Sequence, residues 1–451
     1  MTTTIPEPVG LLANSADQLP SNGHEQSVCD RSHPPVSLKR NAAWVLAGNG
    51  TYAACQWMQV AVLAHAGTSR DVGRYALAFA IATPIFMLAN LQLRSIQATD
   101  TARRYTLGHY VALRLVTCFL GLLAVLLIAC LYSRSYEIAL VTVLVGVFKA
   151  VESMADVYQG ALQQRERLDC LGRSFSWKGF LVFSAFGLCY ACSHKLLLAA
   201  AGMAFAQLVC LLSYDIPSAH RIVRGHDRSR RHDSKHGWHR PLWQFKTLRA
   251  LALTALPLGI TMMLISLYAN LPRFVLNKYG GTAEVGVFAA ITYLSNIGAL
   301  VVNAIGAAIC PRLSKYATEG DARAFKSLLT KVVIVAACMG VAGIAVSALI
   351  GPDLLRLLYG AEYARHNNVL FLSMVASAIG YVGSILGYAA TSLRRLVSQP
   401  WVVGLATVVL FGSALILVPA YGLMGAAIST VLASLTSLAG FAVLVCWRNR
   451  A

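Results

Sequence analysis

Apolar runs long enough to cross a lipid bilayer follow one another from Ala42 almost to the C-terminus, and this succession constrains the fold more than any motif. A hydrocarbon core about 30 Å thick takes about 20 predominantly apolar residues of helix to cross. Twelve runs meet that length, near residues 42–64, 74–95, 109–131, 137–158, 175–192, 195–214, 248–270, 284–306, 329–350, 367–391, 399–418 and 421–446. The expected fold class is an all-α polytopic membrane protein. Only Ser193–Lys195 separates the fifth run from the sixth, and only Pro419–Gly422 the last two, so each pair should form a tight hairpin.

The composition agrees: 57% of residues are hydrophobic, 13% are charged, and the formal net charge is +19. In a soluble protein that charge would suggest nucleic acid; here an excess of Lys and Arg belongs in cytoplasmic loops, facing anionic lipid head groups. No nucleic-acid partner is expected. The basic residues alternate as that rule requires. Lys39 and Arg40, Arg94 to Arg104, Arg165 to Lys178, Arg221 to Arg249, Arg312 to Lys331, Arg394 and Arg395, and Arg448 and Arg450 fall on one side, with one or two per loop on the other. Both termini are therefore expected in the cytoplasm, which an even number of spans also requires. The division that follows is a polar, disordered tail (1–41), a first six-helix set (42–214), a basic His-rich cytoplasmic linker (215–247), a second six-helix set (248–446) and a cytoplasmic C-terminus (447–451). The tail lacks the short apolar core of a signal peptide. His220, His226, His232, His236 and His239 in the linker have no thiol or carboxylate cluster to complete a metal site, and the eleven cysteines show no pair of CxxC pairs. No metal or other cofactor is expected.

The two sets echo each other. Gly67–Ala78 reads GTSRDVGRYALA and Gly281–Ala290 reads GTAEVGVFAA, each placing Gly-Thr in an outer loop and Val-Gly at the start of the next helix. Tyr158 and Arg165 at the end of the fourth run correspond to Tyr388 and Arg395 at the end of the tenth. Such echoes point to two parallel repeats related by an axis along the membrane normal, an arrangement that holds substrate at the repeat interface near mid-membrane.

The stretch Tyr136–Asp169, which contains the fourth run, takes in Lys149, Glu152 and Asp156 without leaving its hydrophobic register. Near the bilayer centre each costs about 3 kcal/mol on insertion scales. At about 100° per residue the three fall within roughly 60° of one another, one polar stripe on an apolar cylinder. That stripe is either an ion pair locking the helix to a neighbour or the wall of a solvated pathway. Other polar groups at membrane depth are Asn49 and Gln56 in the first run, Arg94 at the end of the second, Arg114 in the third, and Asn270 and Arg273 in the seventh. Each has a structural alternative, as interhelical glue or a helix-end anchor. Taken together, Arg94, Arg114, Lys149 and Arg273 outnumber Glu152 and Asp156. A net positive cavity suits an anionic ligand, and guanidinium suits phosphate in particular. There is no P-loop, GxGxxG, HExxH, GxSxG or DxD segment, so the chain is not expected to be an enzyme.

Four stretches, Ala43–Gly67, Val72–Arg94, Val147–Asp169 and Leu256–Gly281, resemble the bacterial polysaccharide transporter family, the flippases for lipid-linked oligosaccharides within the multidrug/oligosaccharidyl-lipid/polysaccharide exporter superfamily. The likeness runs from about Ala42 to the C-terminus. It implies twelve transmembrane helices as two six-helix bundles around a central cavity, with alternating access moving an undecaprenyl-diphosphate-linked glycan across the bacterial cytoplasmic (inner) membrane for O-antigen, capsule or exopolysaccharide synthesis. The resemblance places Arg94, Lys149, Glu152, Asp156 and Arg273 in the family's polar cavity. The substrate-binding set expected is thus Lys149, Arg94, Arg273, Arg114, Asn49, Gln56 and Asn270, with Glu152 and Asp156 tuning charge or coupling an ion. Expected partners are the lipid-linked anionic glycan and membrane lipids, with a polysaccharide polymerase and glycosyltransferases as candidates. The alternatives are a membrane glycan polymerase, ligase or glycosyltransferase, and a multidrug cation antiporter.

Overall fold

A computed structural model describes residues 38–100, 104–132, 136–227, 241–395 and 398–446. Residues 1–37 of the tail, residues 228–240 of the His-rich linker and the last five residues lie outside these. Every regular element among the described residues is helical: α1 (Leu38–Ala66), α2 (Ser69–Asn90), the short α3 (Leu93–Thr99), α4 (Leu107–Tyr132), α5 (Tyr136–Gln164), α6 (Leu168–Ser193), α7 (Leu196–Cys210), α8 (Ile216–Asp227), α9 (Phe245–Tyr279), α10 (Gly281–Glu319), α11 (Ala322–Tyr359), the single turn α12 (Ala361–Ala364), α13 (Asn367–Ser392) and α14 (Gln399–Cys446).

Ten of these stretches are long and apolar enough to cross a membrane. The last is two spans, because α14 leaves helical geometry at Gly422, with φ 54° and ψ −128°. Its arms then run back to back: a side chain on Gly425 would overlap the Leu417 carbonyl, and one on Gly440 would meet Val402. The sequence numbers of both contacts sum alike, as an antiparallel hairpin requires. α1, less apolar and absent from the ten, packs along α6, where Gly48 and Gly172 let the backbones touch. With it the chain has twelve spans, in two six-helix bundles around a central cavity.

Three details differ from the sequence reading. The second run is not continuous: Leu91 and Gln92 both take left-handed backbone angles, at φ 48° and 50°, breaking the helix into α2 and α3. Neither residue type favours that region, at a cost of roughly 1–2 kcal/mol each. Burial of Leu91 and Leu93 and the anchoring of Arg94 beyond them hold the break. The sixth run does not end at Tyr214; a π-helical turn, Leu211–Asp215, leads into α8, so helix extends into the stretch read as linker. Lys178, counted with the loop charges, lies inside α6 and is 2% exposed.

The echo between the halves appears as a physical seam. α2 and α10 start side by side at one end of the molecule. A Cβ on Gly73 would overlap the carbonyl of Thr282, and a Cβ on Gly286 would overlap that of Ser69. Gly73 matches Gly286 and Ser69 matches Thr282 at one constant offset, so the two contacts are mates across a pseudo-two-fold axis. On the same side of the cavity Trp57 of α1 donates to the Tyr359 hydroxyl of α11 at 2.8 Å. At the opposite, basic end the symmetry fails. There α9 lies against α2, with Gly259 near the Leu88 carbonyl, whereas its repeat counterpart α1 touches α10 sparsely.

Candidate functional site: a polar cavity between the bundles

Between the bundles lies a cavity of about 670 Å³, walled by α1, α2 and α5 on one side and by α9, α10, α13 and α14 on the other. Four residues singled out from sequence line it: Gln56, Lys149, Asn270 and Arg273. Arg273 is held by its own helix. Asn270, one turn earlier, donates to the Ser266 carbonyl at 2.8 Å and accepts from Arg273 at 2.7 Å, which aims the guanidinium at the cavity. No carboxylate pairs with Arg273 among the described residues, and its buried Nε has no hydrogen-bond partner. The cation is therefore uncompensated.

Lys149 is different. Its ammonium sits 2.8 Å from Glu152 and over the rings of Phe79 and Phe148, at 5.4 and 5.6 Å. Glu152 also accepts a short hydrogen bond from Tyr52, so it backs Lys149 from within the first bundle. Behind this pair Lys178 stacks over Tyr52 and Phe175, at 5.9 and 5.6 Å. Deeper still, Asp215, 1% exposed, accepts from Ser174, which in turn accepts from Gln159 at 3.1 Å. A chain of buried polar groups thus runs from the cavity wall into the first bundle.

Arg94, Arg114 and Asp156 lie apart from the lining residues. Arg114 is 0% exposed; its guanidinium donates to Asn90 at 2.7 Å and pairs with Asp156 at 3.4 Å. The reason is topological. α4 packs on α2 and α5 and turns Phe119, Leu123 and Leu127 outward, so its one charge points into the bundle instead of the cleft. Arg94 shares the same carboxylate at 3.4 Å and donates to Gln163 at 2.9 Å. Asn49 is exposed and lies outside the lining. The positive sum read from sequence is therefore divided: a triad with one surplus charge toward the basic end, and Arg273 with the Lys149–Glu152 pair at the cavity.

Sequence reasoning did not single out the wall of the second bundle. Thr292, Asn296 and Asn303 of α10, Ser373, Ser377 and Ser384 of α13, and Thr430, Ser434 and Ser437 of α14 line it. The Ser373 hydroxyl is buried and unpartnered. The signal was available in the spacing 430, 434, 437, one helical face of hydroxyls in an otherwise apolar span. Among the described lining residues Lys149 and Arg273 are charged and none is Asp or Glu.

Comparison with known proteins places this architecture. A family described as "Polysaccharide biosynthesis protein" matches residues 38–317. The chain is 27% identical over 407 residues to the capsular polysaccharide biosynthesis protein CapF of Staphylococcus aureus, covering 90% of this chain and 98% of CapF. Among solved structures, an inward-facing multidrug resistance MATE family transporter of the MOP superfamily superposes with a TM-score of 0.69 at 14% identity, over 86% of this chain and 93% of that one. The lipid II flippase MurJ in an inward closed conformation gives 0.67 at 11% identity, over 89% and 86%. At such identities the structural likeness speaks for the fold.

Proposed function

Because the chain belongs to the polysaccharide biosynthesis protein family, we propose that it is a flippase that carries an undecaprenyl-diphosphate-linked oligosaccharide across the bacterial cytoplasmic membrane. The observation that carries this reading is the cavity's chemistry: an uncompensated guanidinium, a nearby lysine, and a wall of hydroxyls and amides without a carboxylate. Guanidinium pairs with phosphate through strong charge-assisted hydrogen bonds. Neutral hydroxyl and amide groups match a polyhydroxylated sugar, and the absence of acidic lining disfavours a cationic drug. Arg273 belongs to one bundle and Lys149 to the other, so a diphosphate bridging them registers the position of both.

In this reading the basic end faces the cytoplasm, both termini lie there, and the Gly73–Gly286 seam closes the periplasmic side. The sparse contact between α1 and α10 supplies the lateral gap through which a prenyl chain can stay in the bilayer while its head group enters the cavity. Glu152 holds Lys149 until the diphosphate competes for it. Arg94 with Asp156 and Arg114 forms a second basic step toward the cytoplasmic mouth.

The test is transport by purified protein in liposomes, with a fluorescent undecaprenyl-diphosphate-linked oligosaccharide scored by accessibility to an added glycosidase. Arg273→Ala removes a charged hydrogen bond worth about 1.5–3 kcal/mol, so binding of this lipid should weaken by roughly 10- to 150-fold. Lys149→Ala should cost less, because Lys149 is already engaged by Glu152 at 2.8 Å and must give up part of that pairing to hold the lipid. Full transport by the double variant, or transport of a cationic dye in place of the lipid, would reject the reading.

A further inference from the structure

A groove of about 820 Å³ opens on the second bundle at its basic end, away from the central cavity. Its walls are single stripes from three helices: Phe325, Leu329 and Val333 of α11, Leu386 of α13, and Ala442 and Val445 of α14. The spacings 325, 329, 333 and 442, 445 put each set on one helix face, so the apolar stripes confront one another across open space. Polarity is graded along the groove. Asp321, Lys326 and Arg395 sit at the helix-end mouth, while Val333 and Leu386 lie at the other extreme, deeper along the same helices. The slot is amphipathic in the direction in which a lipid is amphipathic.

The mouth also has a sign. The Asp321 carboxylate is engaged as a helix cap, accepting from the Ala324 amide at 2.9 Å. The Arg395 guanidinium donates to the Leu444 carbonyl, which fixes it over the end of α14. Lys326 is exposed in the first turns of α11, with Arg323 beside it and Lys331 further along. The segment that follows Cys446 carries Arg448 and Arg450, like charge to a basic mouth.

We propose that this groove is a binding site for one anionic glycerophospholipid, its phosphate held between Lys326 and Arg395 and one acyl chain lying between α11 and α14. The occupant wedges the α10–α11 hairpin against the α13–α14 pair, so it acts on the bundle that carries Arg273 without entering the transport cavity. The assignment is independent of the transported substrate.

The experiment is native mass spectrometry of the full chain released from detergent micelles, titrated with palmitoyl-oleoyl phosphatidylglycerol or with phosphatidylcholine of the same chains. One phosphatidylglycerol should be retained in preference to phosphatidylcholine. Lys326→Glu should reduce that retention by about fivefold or more, the weight of one basic side chain near an anionic surface. Leu329→Trp, which fills the slot, should reduce retention of both lipids, and Lys246→Glu, an exposed charge outside the groove, should leave it unchanged. Equal retention of the two lipids, or retention unaffected by both groove variants, overturns the proposal. So does a gain of phosphatidylglycerol binding when residues 447–451 are removed, which would make the chain's own end the occupant. Displacement of phosphatidylglycerol by one equivalent of undecaprenyl phosphate would assign the groove to prenyl lipids and overturns it as well.

Discussion

Replacing Arg114 by Ala should destabilise the first bundle by about 3–5 kcal/mol, the range measured when one partner is removed from a buried ion pair. Arg114 is fully enclosed, and its charge is balanced by Asp156, which it shares with Arg94, while Asn90 accepts a second hydrogen bond. Without the guanidinium, Asp156 keeps one partner at 3.4 Å, Asn90 keeps none from that side, and a cavity the size of a long side chain opens between α2, α4 and α5. The loss should appear as a lowered midpoint of unfolding in mixed micelles. Removing both charges is the informative control. Arg114→Leu with Asp156→Asn fills most of the volume and leaves no buried charge, so it should recover much of the loss. Arg94 then retains Gln163 and its partial exposure. A single variant within about 1 kcal/mol of the parent would mean that water or lipid compensates the carboxylate, and that the triad does not hold α4 to α2 and α5.

The same triad shows where sequence reasoning stops. Hydropathy runs located the spans, and the hairpins at His194 and Gly422 followed from turns too short for anything else. Helical periodicity placed Lys149, Glu152 and Asp156 on one face. It could not say what stood opposite. Glu152 and Asp156 are one turn apart, yet one backs a cavity lysine and the other is claimed by two arginines from different helices. Which neighbour a stripe meets depends on how helices distant in sequence are arranged, and a single chain does not encode that locally. Lys178 was misplaced for a related reason: a charge near the end of an apolar run reads as loop, whereas here the aromatic faces of Tyr52 and Phe175 and nearby carboxylates let it stay buried. The hydroxyl wall was hidden by its blandness. Serine and threonine in a membrane helix ordinarily bond their own backbone, as Thr292 and Thr430 do, and only the convergence of three helices turns them into a surface. The break at Leu91–Gln92 left no trace at all, since neither residue type announces a left-handed backbone.

Substituting both seam glycines, Gly73→Val with Gly286→Val, should abolish closure at the Gly67 end and trap the protein with that end open. Each glycine lies against the backbone carbonyl of the opposing helix, and no rotamer adjustment can relieve a Cβ overlapping main chain on a facing helix. Overpacking costs about 1–3 kcal/mol per site, and both sites oppose the same closed state, so together they penalise it by roughly 2–6 kcal/mol. On a two-state equilibrium that is a population shift of about 30-fold to 10⁴-fold. The open state bears none of this cost, because the two helices part there, and the protein should still fold. The readout is a cysteine at Gln56, on the cavity wall, in a chain whose own cysteines are replaced by alanine, labelled with an impermeant maleimide added from the Gly67 side. Labelling should rise about tenfold or more in the double variant, each single substitution should give part of the effect, and transport should stop because the cycle cannot pass through the closed state. Gly187→Ala, where a methyl meets nothing within 4 Å, should change neither reading. Unchanged labelling together with normal transport would mean that the bundles close elsewhere and that the paired Gly73 and Gly286 contacts are packing alone. Because the two contacts are mates across the pseudo-two-fold axis, the argument also fixes a ratio: the two single variants should shift labelling by similar amounts, whereas a gate hinged on one bundle would respond to one glycine and ignore the other.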